Sequence, residues 1–75
     1  MAAEIYTKRI LYLNGMDYEV GESIPYLRWT LDDETENEMY EAYILDITKN
    51  SILVYSLFDG SPANDVEINI DDIAN

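Results

Sequence analysis

The chain is 75 residues long, carries 16 acidic side chains against 4 basic ones, and contains neither histidine nor cysteine, for a formal net charge of −12. These counts exclude a disulfide framework and a zinc site of the usual Cys/His kind, and they remove the commonest general base and the strongest side-chain nucleophile. Nucleic acid and anionic membrane are disfavoured as direct partners, because binding either requires lysine and arginine to replace counterions.

In chain order, residues 1–4 read as a frayed end. Residues 5–13, Asn14-Gly15 and residues 16–20 read as a β-hairpin, since Asn-Gly supplies the two positive-φ positions of a type I′ turn. Met16, Tyr18 and Val20 alternate with Asp17 and Glu19, which predicts one buried and one acidic face. Gly21 breaks that pattern. Ser23-Ile24-Pro25 is an extended connection, because the residue before proline is pushed out of the helical region. Residues 26–31 alternate again as a third strand, with Leu27, Trp29 and Leu31 on its inner side.

Residues 32–41 then hold six carboxylates and no cation. Two local structures suit them. One is a short helix within residues 32–43, with Asp32 or Asp33 as N-cap and further carboxylates near the positive end of the dipole. The other is a wide hairpin loop whose like charges splay into solvent. Residues 43–47 read as a strand with Tyr43, Leu45 and Ile47 alternating with Ile44 and Asp46, ended by the turn cluster Thr48-Lys49-Asn50-Ser51. Residues 51–58 form the most hydrophobic strand, predicted to be central. Residues 59–65 contain Gly60 and Pro62 and read as a loop. Residues 66–70 alternate as a final strand, closed by one helical turn over residues 71–75.

Five or six short strands predict a mostly β fold, either a strongly bent antiparallel sheet or a small barrel. A hydrophobic content of 48% with seven tyrosines and one tryptophan is too high for a disordered acidic tail, so one folded domain over residues 1–75 is expected. The spacing of the second half resembles that of SH3-like and Sm-like barrels: strand 43–47, tight turn, strand 52–58, loop, strand 66–70, terminal turn at Asp72-Ile73. Residues 1–9 contain Glu4 and are followed by no apolar signal core. No run reaches the ~20 apolar residues of a membrane span. The expected location is the cytoplasm.

The sequence contains no Gly-x-Gly-x-x-Gly, no phosphate loop and no Gly-x-Ser-x-Gly elbow. An EF-hand template started at Asp32 needs glycine at its sixth position and glutamate at its twelfth, and meets Asn37 and Tyr43. Started at Asp59 it meets Asn64 and Ile70. A looser set of Asp32, Asp33, Glu34 and Glu36 is the one carboxylate grouping left. No metal, cofactor or catalytic residue is predicted, and the protein is not expected to be an enzyme. Tyr12, Tyr18, Tyr43, Tyr55 and Trp29 lie in strands, where aromatics favour packing on a pleated surface. Tyr40 differs, because Glu38 and Glu41 flank it and tyrosine is a common interface anchor.

Further carboxylates recur on the polar strand faces and turns, at Asp17, Glu19, Glu22, Asp46, Asp59, Asp65, Glu67, Asp71 and Asp72. A compact protein so decorated offers a DNA-binding groove a field comparable to that of a duplex, which presents one charge per about 1.7 Å of axis. Such a field speeds encounter with a basic surface. In composition and size the chain resembles phage-encoded nucleic-acid mimics and small defence inhibitors of the anti-restriction, anti-CRISPR and uracil-DNA-glycosylase-inhibitor kinds. That resemblance implies a small viral inhibitor in the host-cell cytoplasm that blocks the basic surface of a nucleic-acid-binding protein. Asp32, Asp33, Glu34, Glu36, Glu38, Tyr40 and Glu41 are its candidate partner-binding residues, with Met39 as a second short-range contact. The alternatives are an SH3-like interaction module or small assembly subunit that recognises its partner through exposed aromatics, and a homodimer closing through an exposed strand edge.

Overall fold

The computed structural model describes Ala3 and residues 8–32, 34–57 and 65–74. Two antiparallel sheets are present. β1 (Leu11–Leu13) and β2 (Met16–Tyr18) form a two-stranded ribbon. β3 (Ser23–Leu31), β4 (Thr35–Ile47), β5 (Ser51–Ser56) and β6 (Val66–Asn69) form a four-stranded meander in sequence order.

The Asn14-Gly15 turn joins β1 to β2 with φ of 51° and 80° and sets Leu13 opposite Met16, as the dipeptide predicts. The ribbon is shorter than the alternation suggests, and only part of its expected inner side is covered. Leu13 is 4% exposed, and Leu11 and Tyr18 pack beside it, whereas Met16 and Val20 are 57% and 51% exposed. Val20 leaves the ribbon because Glu19 and Glu22 close a turn around it. The Glu19 N–H donates to Glu22 Oε1 at 2.8 Å, and the Glu22 N–H donates to the Glu19 carbonyl at 3.0 Å.

β4 absorbs most of the acidic run, and the helix predicted within residues 32–43 is not formed. Thr35 to Tyr40 pair residue by residue with Leu31 to Tyr26. The run offers only Met39 and Tyr40 as large apolar groups, too few for a helical stripe. A period-two register instead puts Asn37 and Met39 on the inner side with Trp29 and Leu27. Both strands switch their inner side at one place, where Pro25 and Glu41 lie across from each other between the Ile24–Ala42 and Tyr26–Tyr40 pairs. Glu41 has φ 50°, in the left-handed region that side chains other than Gly, Asn and Asp seldom adopt. Beyond that point Ile24, Ala42 and Ile44 face inward.

A second irregularity corrects the alternation read over residues 43–47. The register passes from Ile44–Val54 to Asp46–Leu53, so Leu45 is an extra residue. Ile44 and Ile47 therefore both point into the core, at 0% and 8% exposure, while Tyr43 and Leu45 are only half-buried. β5 lies between β4 and β6 as predicted, with Ile52, Val54 and Ser56 inward, and it ends at Ser56; the predicted Phe58 lies outside the described residues. The loop read over residues 59–65 falls outside them too, apart from Asp65.

The predicted C-terminal turn is present as a 3-10 turn over Ile70–Asp72, capped by the Asn69 side chain, which accepts from the Asp71 N–H at 2.9 Å. It carries the chain from β6 to the far edge of β3. There Ile73 pairs with Trp29, and the Ala74 N–H donates to the Arg28 carbonyl at 2.9 Å. β6 itself does not pair with β3, so the sheet is bent around its core without closing into a barrel. No helix among the described residues is long and apolar enough to cross a membrane.

Two substitutions check this architecture. Ile52→Ala at the centre of the core lowers unfolding free energy by about 2–5 kcal/mol in a denaturant titration. Glu41→Val, although a strand-favouring change at an exposed site, destabilises by about 1–2 kcal/mol because valine resists the left-handed backbone. Glu41→Asn is neutral or mildly stabilising in the same titration.

Candidate functional site

The sheet side away from the core carries, on the β3–β4 ribbon, Tyr26, Arg28 and Thr30 opposite Tyr40, Glu38 and Glu36. These are close cross-strand pairs whose side chains meet over the sheet. The Tyr26 and Tyr40 rings lie 4.9 Å apart with an interplanar angle of 32°. The Tyr26 hydroxyl donates to Glu38 Oε2 at 2.7 Å, and the Arg28 guanidinium sits 5.9 Å from the centre of the Tyr26 ring. Tyr26 and Tyr40 are 42% and 53% exposed, so two large aromatic rings are held in fixed orientation in solvent. A groove of ≈ 300 Å³ runs beside them, bounded by Arg28, Thr30, Glu36, Glu38 and Ala74.

Of the residues singled out from sequence, Glu36, Glu38 and Tyr40 share this face. Asp32 and Glu34 belong to the adjoining turn, where the Glu34 N–H donates to the Leu31 carbonyl at 3.2 Å and Asp32 has φ 54°. Glu41 lies at the switch point, its Oε2 accepting from Ser23 Oγ at 3.4 Å. Asp33 lies outside the described residues. Met39 turns inward against the core and is not a surface contact.

Tyr26 and Arg28 were not singled out from sequence; the signal was their place on the polar side of a strand, readable only once that strand was paired with the acidic run. The tyrosines assigned to packing divide. Tyr43 and Tyr55 form a half-buried pair 5.3 Å apart and Tyr18 packs on the core, while Tyr12 is 70% exposed.

The ion pairing is sparse. Among the described residues the one ion pair is Lys8 Nζ to Glu19 Oε2 at 3.9 Å, between exposed side chains, a contact of small energetic weight. Arg9 and Lys49 line a separate cavity of ≈ 500 Å³ between β1, the β4–β5 turn and the 3-10 turn. With Lys8, three of the chain's four cations thus sit away from the acidic ribbon tip. No three of His, Cys, Asp and Glu among the described residues converge as metal ligands.

Comparison with protein-family models, with curated proteins and with solved structures finds no match to this chain.

The Glu38 carboxylate that accepts the Tyr26 hydrogen bond opposes ionisation of the phenol and raises its pKa, against a smaller lowering by Arg28. Tyr26 therefore ionises above the ordinary tyrosine value near 10, and Glu38→Gln brings it back toward that value in a pH titration followed by tyrosine ultraviolet absorbance or NMR. Because the folded pKa is the higher one, the stability linked to this bond is complete below the unfolded-state value. It is lost as pH rises through the folded one.

Proposed function

We propose that the protein acts by binding rather than catalysis, as a small acidic inhibitor that occupies the basic surface of a nucleic-acid-binding protein. The observation that carries this reading is the outer face of the β3–β4 ribbon. Two exposed tyrosines there stand beside Glu36 and Glu38, next to the acidic turn at Asp32 and Glu34. An arginine of a partner stacks on an aromatic ring and pairs with a carboxylate in one approach. The surrounding net charge of −12 supplies long-range attraction to a cationic groove. Inhibition in the manner of a phage-encoded nucleic-acid mimic, of anti-restriction or anti-CRISPR type, is the biological form that composition and charge fit.

The second reading is an SH3-like interaction module. The observation that favours it is the exposure of Tyr12, Tyr26 and Tyr40 on a small β fold, aromatic surface on which a partner segment can pack. Under it the exposed tyrosines are the main contact and the carboxylates are accessory.

Salt separates the two. Capture of partners from lysate at low salt, elution on a salt gradient and identification by mass spectrometry returns basic proteins under the first reading. A rise from low to moderate salt then weakens the complex steeply under the first reading and much less under the second. The combined variant Asp32→Asn, Glu34→Gln, Glu36→Gln and Glu38→Gln weakens it at least about tenfold. Unchanged affinity in that variant, or recovery of only neutral and acidic partners, rejects the first reading.

A further inference from the structure

β4 is held on both sides over only part of its length. From Ala42 to Ile47 it pairs with β5, and β3 pairs with it from Thr35 to Tyr43. Among the described residues, no strand pairs with the side of Thr35 to Tyr40 that faces away from β3. The direction of the backbone groups there follows from two bonds. The Arg28 carbonyl accepts from the Ala74 N–H on the far side of β3, so Leu27 and Trp29 aim theirs at β4. Their partners Met39 and Asn37 aim back at β3. The intervening residues Glu36, Glu38 and Tyr40 then direct N–H and C=O groups at the unpaired edge. The Tyr40 carbonyl agrees, since it accepts from Ser56 Oγ of β5 at 3.0 Å.

We infer that this edge is a strand-addition site for an extended basic segment of the partner, which pairs with Glu36, Glu38 and the Tyr40 N–H, the Tyr40 carbonyl being held by Ser56 Oγ, and extends the sheet beside β4. The inference rests on the basic-partner reading and specifies the shape of what binds. In an added antiparallel strand, residues hydrogen-bonded opposite Glu36 and Glu38 put their side chains on the same outer face as those glutamates. Lysine or arginine at those alternate positions meets two carboxylates directly opposite. The positions between them face inward beside half-buried Met39, and there apolar side chains fit. A segment alternating cationic and apolar residues therefore matches the edge in backbone, charge and packing.

A second copy of the chain does not. Thr35 to Glu41 contains no cation, so an antiparallel copy sets Glu36 and Glu38 against each other's equivalents, and like charges directly opposite destabilise a pair.

The probe is a synthetic peptide of alternating Lys and Val, about eight residues long, with two N-methylated forms of equal charge. Methylation at the lysine amides removes the donors that face β4, whereas methylation at the valine amides removes donors that face away. The result expected is that the lysine-methylated form binds at least about tenfold more weakly and the valine-methylated form binds like the parent. Amides of Glu36, Glu38 and Tyr40 should exchange rapidly in the unbound protein and slow on binding, while those of Asn37 and Met39 are slow throughout.

Equal binding of both methylated forms would mean that charge alone holds the peptide. That result overturns strand addition and leaves the basic-partner reading in place. Slow exchange at Glu36 and Glu38 in the unbound protein at all concentrations shows the edge already paired and overturns it too. The same holds if those amides become protected only with concentration-dependent dimerisation. A failure of the basic-partner reading itself registers separately, in the four-carboxylate variant of the preceding experiment.

Discussion

The structure depends on a single backbone constraint, the point at Pro25 and Glu41 where the β3–β4 ribbon changes its inner side. A strand has period two, so a ribbon that must face one core over its whole length keeps one parity of residues inward. Here the parity changes. Ile24, Ala42 and Ile44 face the core below the switch, and Leu27, Trp29, Asn37 and Met39 face inward above it. Pro25 has no N–H to donate and Glu41 takes a left-handed φ, so the irregularity falls where the ladder is already interrupted. The Leu57 N–H recovers the Glu41 carbonyl at 2.9 Å. β5 therefore stays attached to β4 up to the switch and no further among the described residues.

That division explains where the charge is placed. Below the switch β4 is flanked by β3 and β5, and its residues are Ala, Tyr, Ile and Leu with one aspartate at the bulge. Above it, β4 has a neighbour on one side only among the described residues, and its outward residues are Glu36, Glu38 and Tyr40. An unpaired strand edge invites association with other chains, and carboxylates along it repel copies of the same protein while attracting cationic segments. One row of like-charged side chains thus discourages self-pairing. A chain this small has a narrow margin of stability, and the self-repulsion of a net charge of −12 narrows it further. The exposed tyrosine pair recovers part of that loss, because Tyr26 and Tyr40 stack and the Tyr26 hydroxyl engages one of the glutamates.

The sequence by itself determined the strand count, the Asn14-Gly15 turn, the central place of Ile52 and Val54, the terminal turn and the concentration of carboxylates between the third strand and the next. Each is written in local signals, such as positive-φ turn residues and period-two alternation. It could not say that the acidic run is a strand. A run with so few apolar groups has no period of its own to display, and its conformation was decided by pairing with residues 26–31, which do. Tertiary structure alone decided the switch at Glu41, the extra residue at Leu45, the exposure of Met16, Val20 and Tyr12, and the meeting of Tyr26 with Tyr40 and Glu38. Each of these is set by how strands pair and pack rather than by one strand's own pattern, and a one-residue shift in register exchanges the buried and exposed sides without changing the sequence pattern that encodes either.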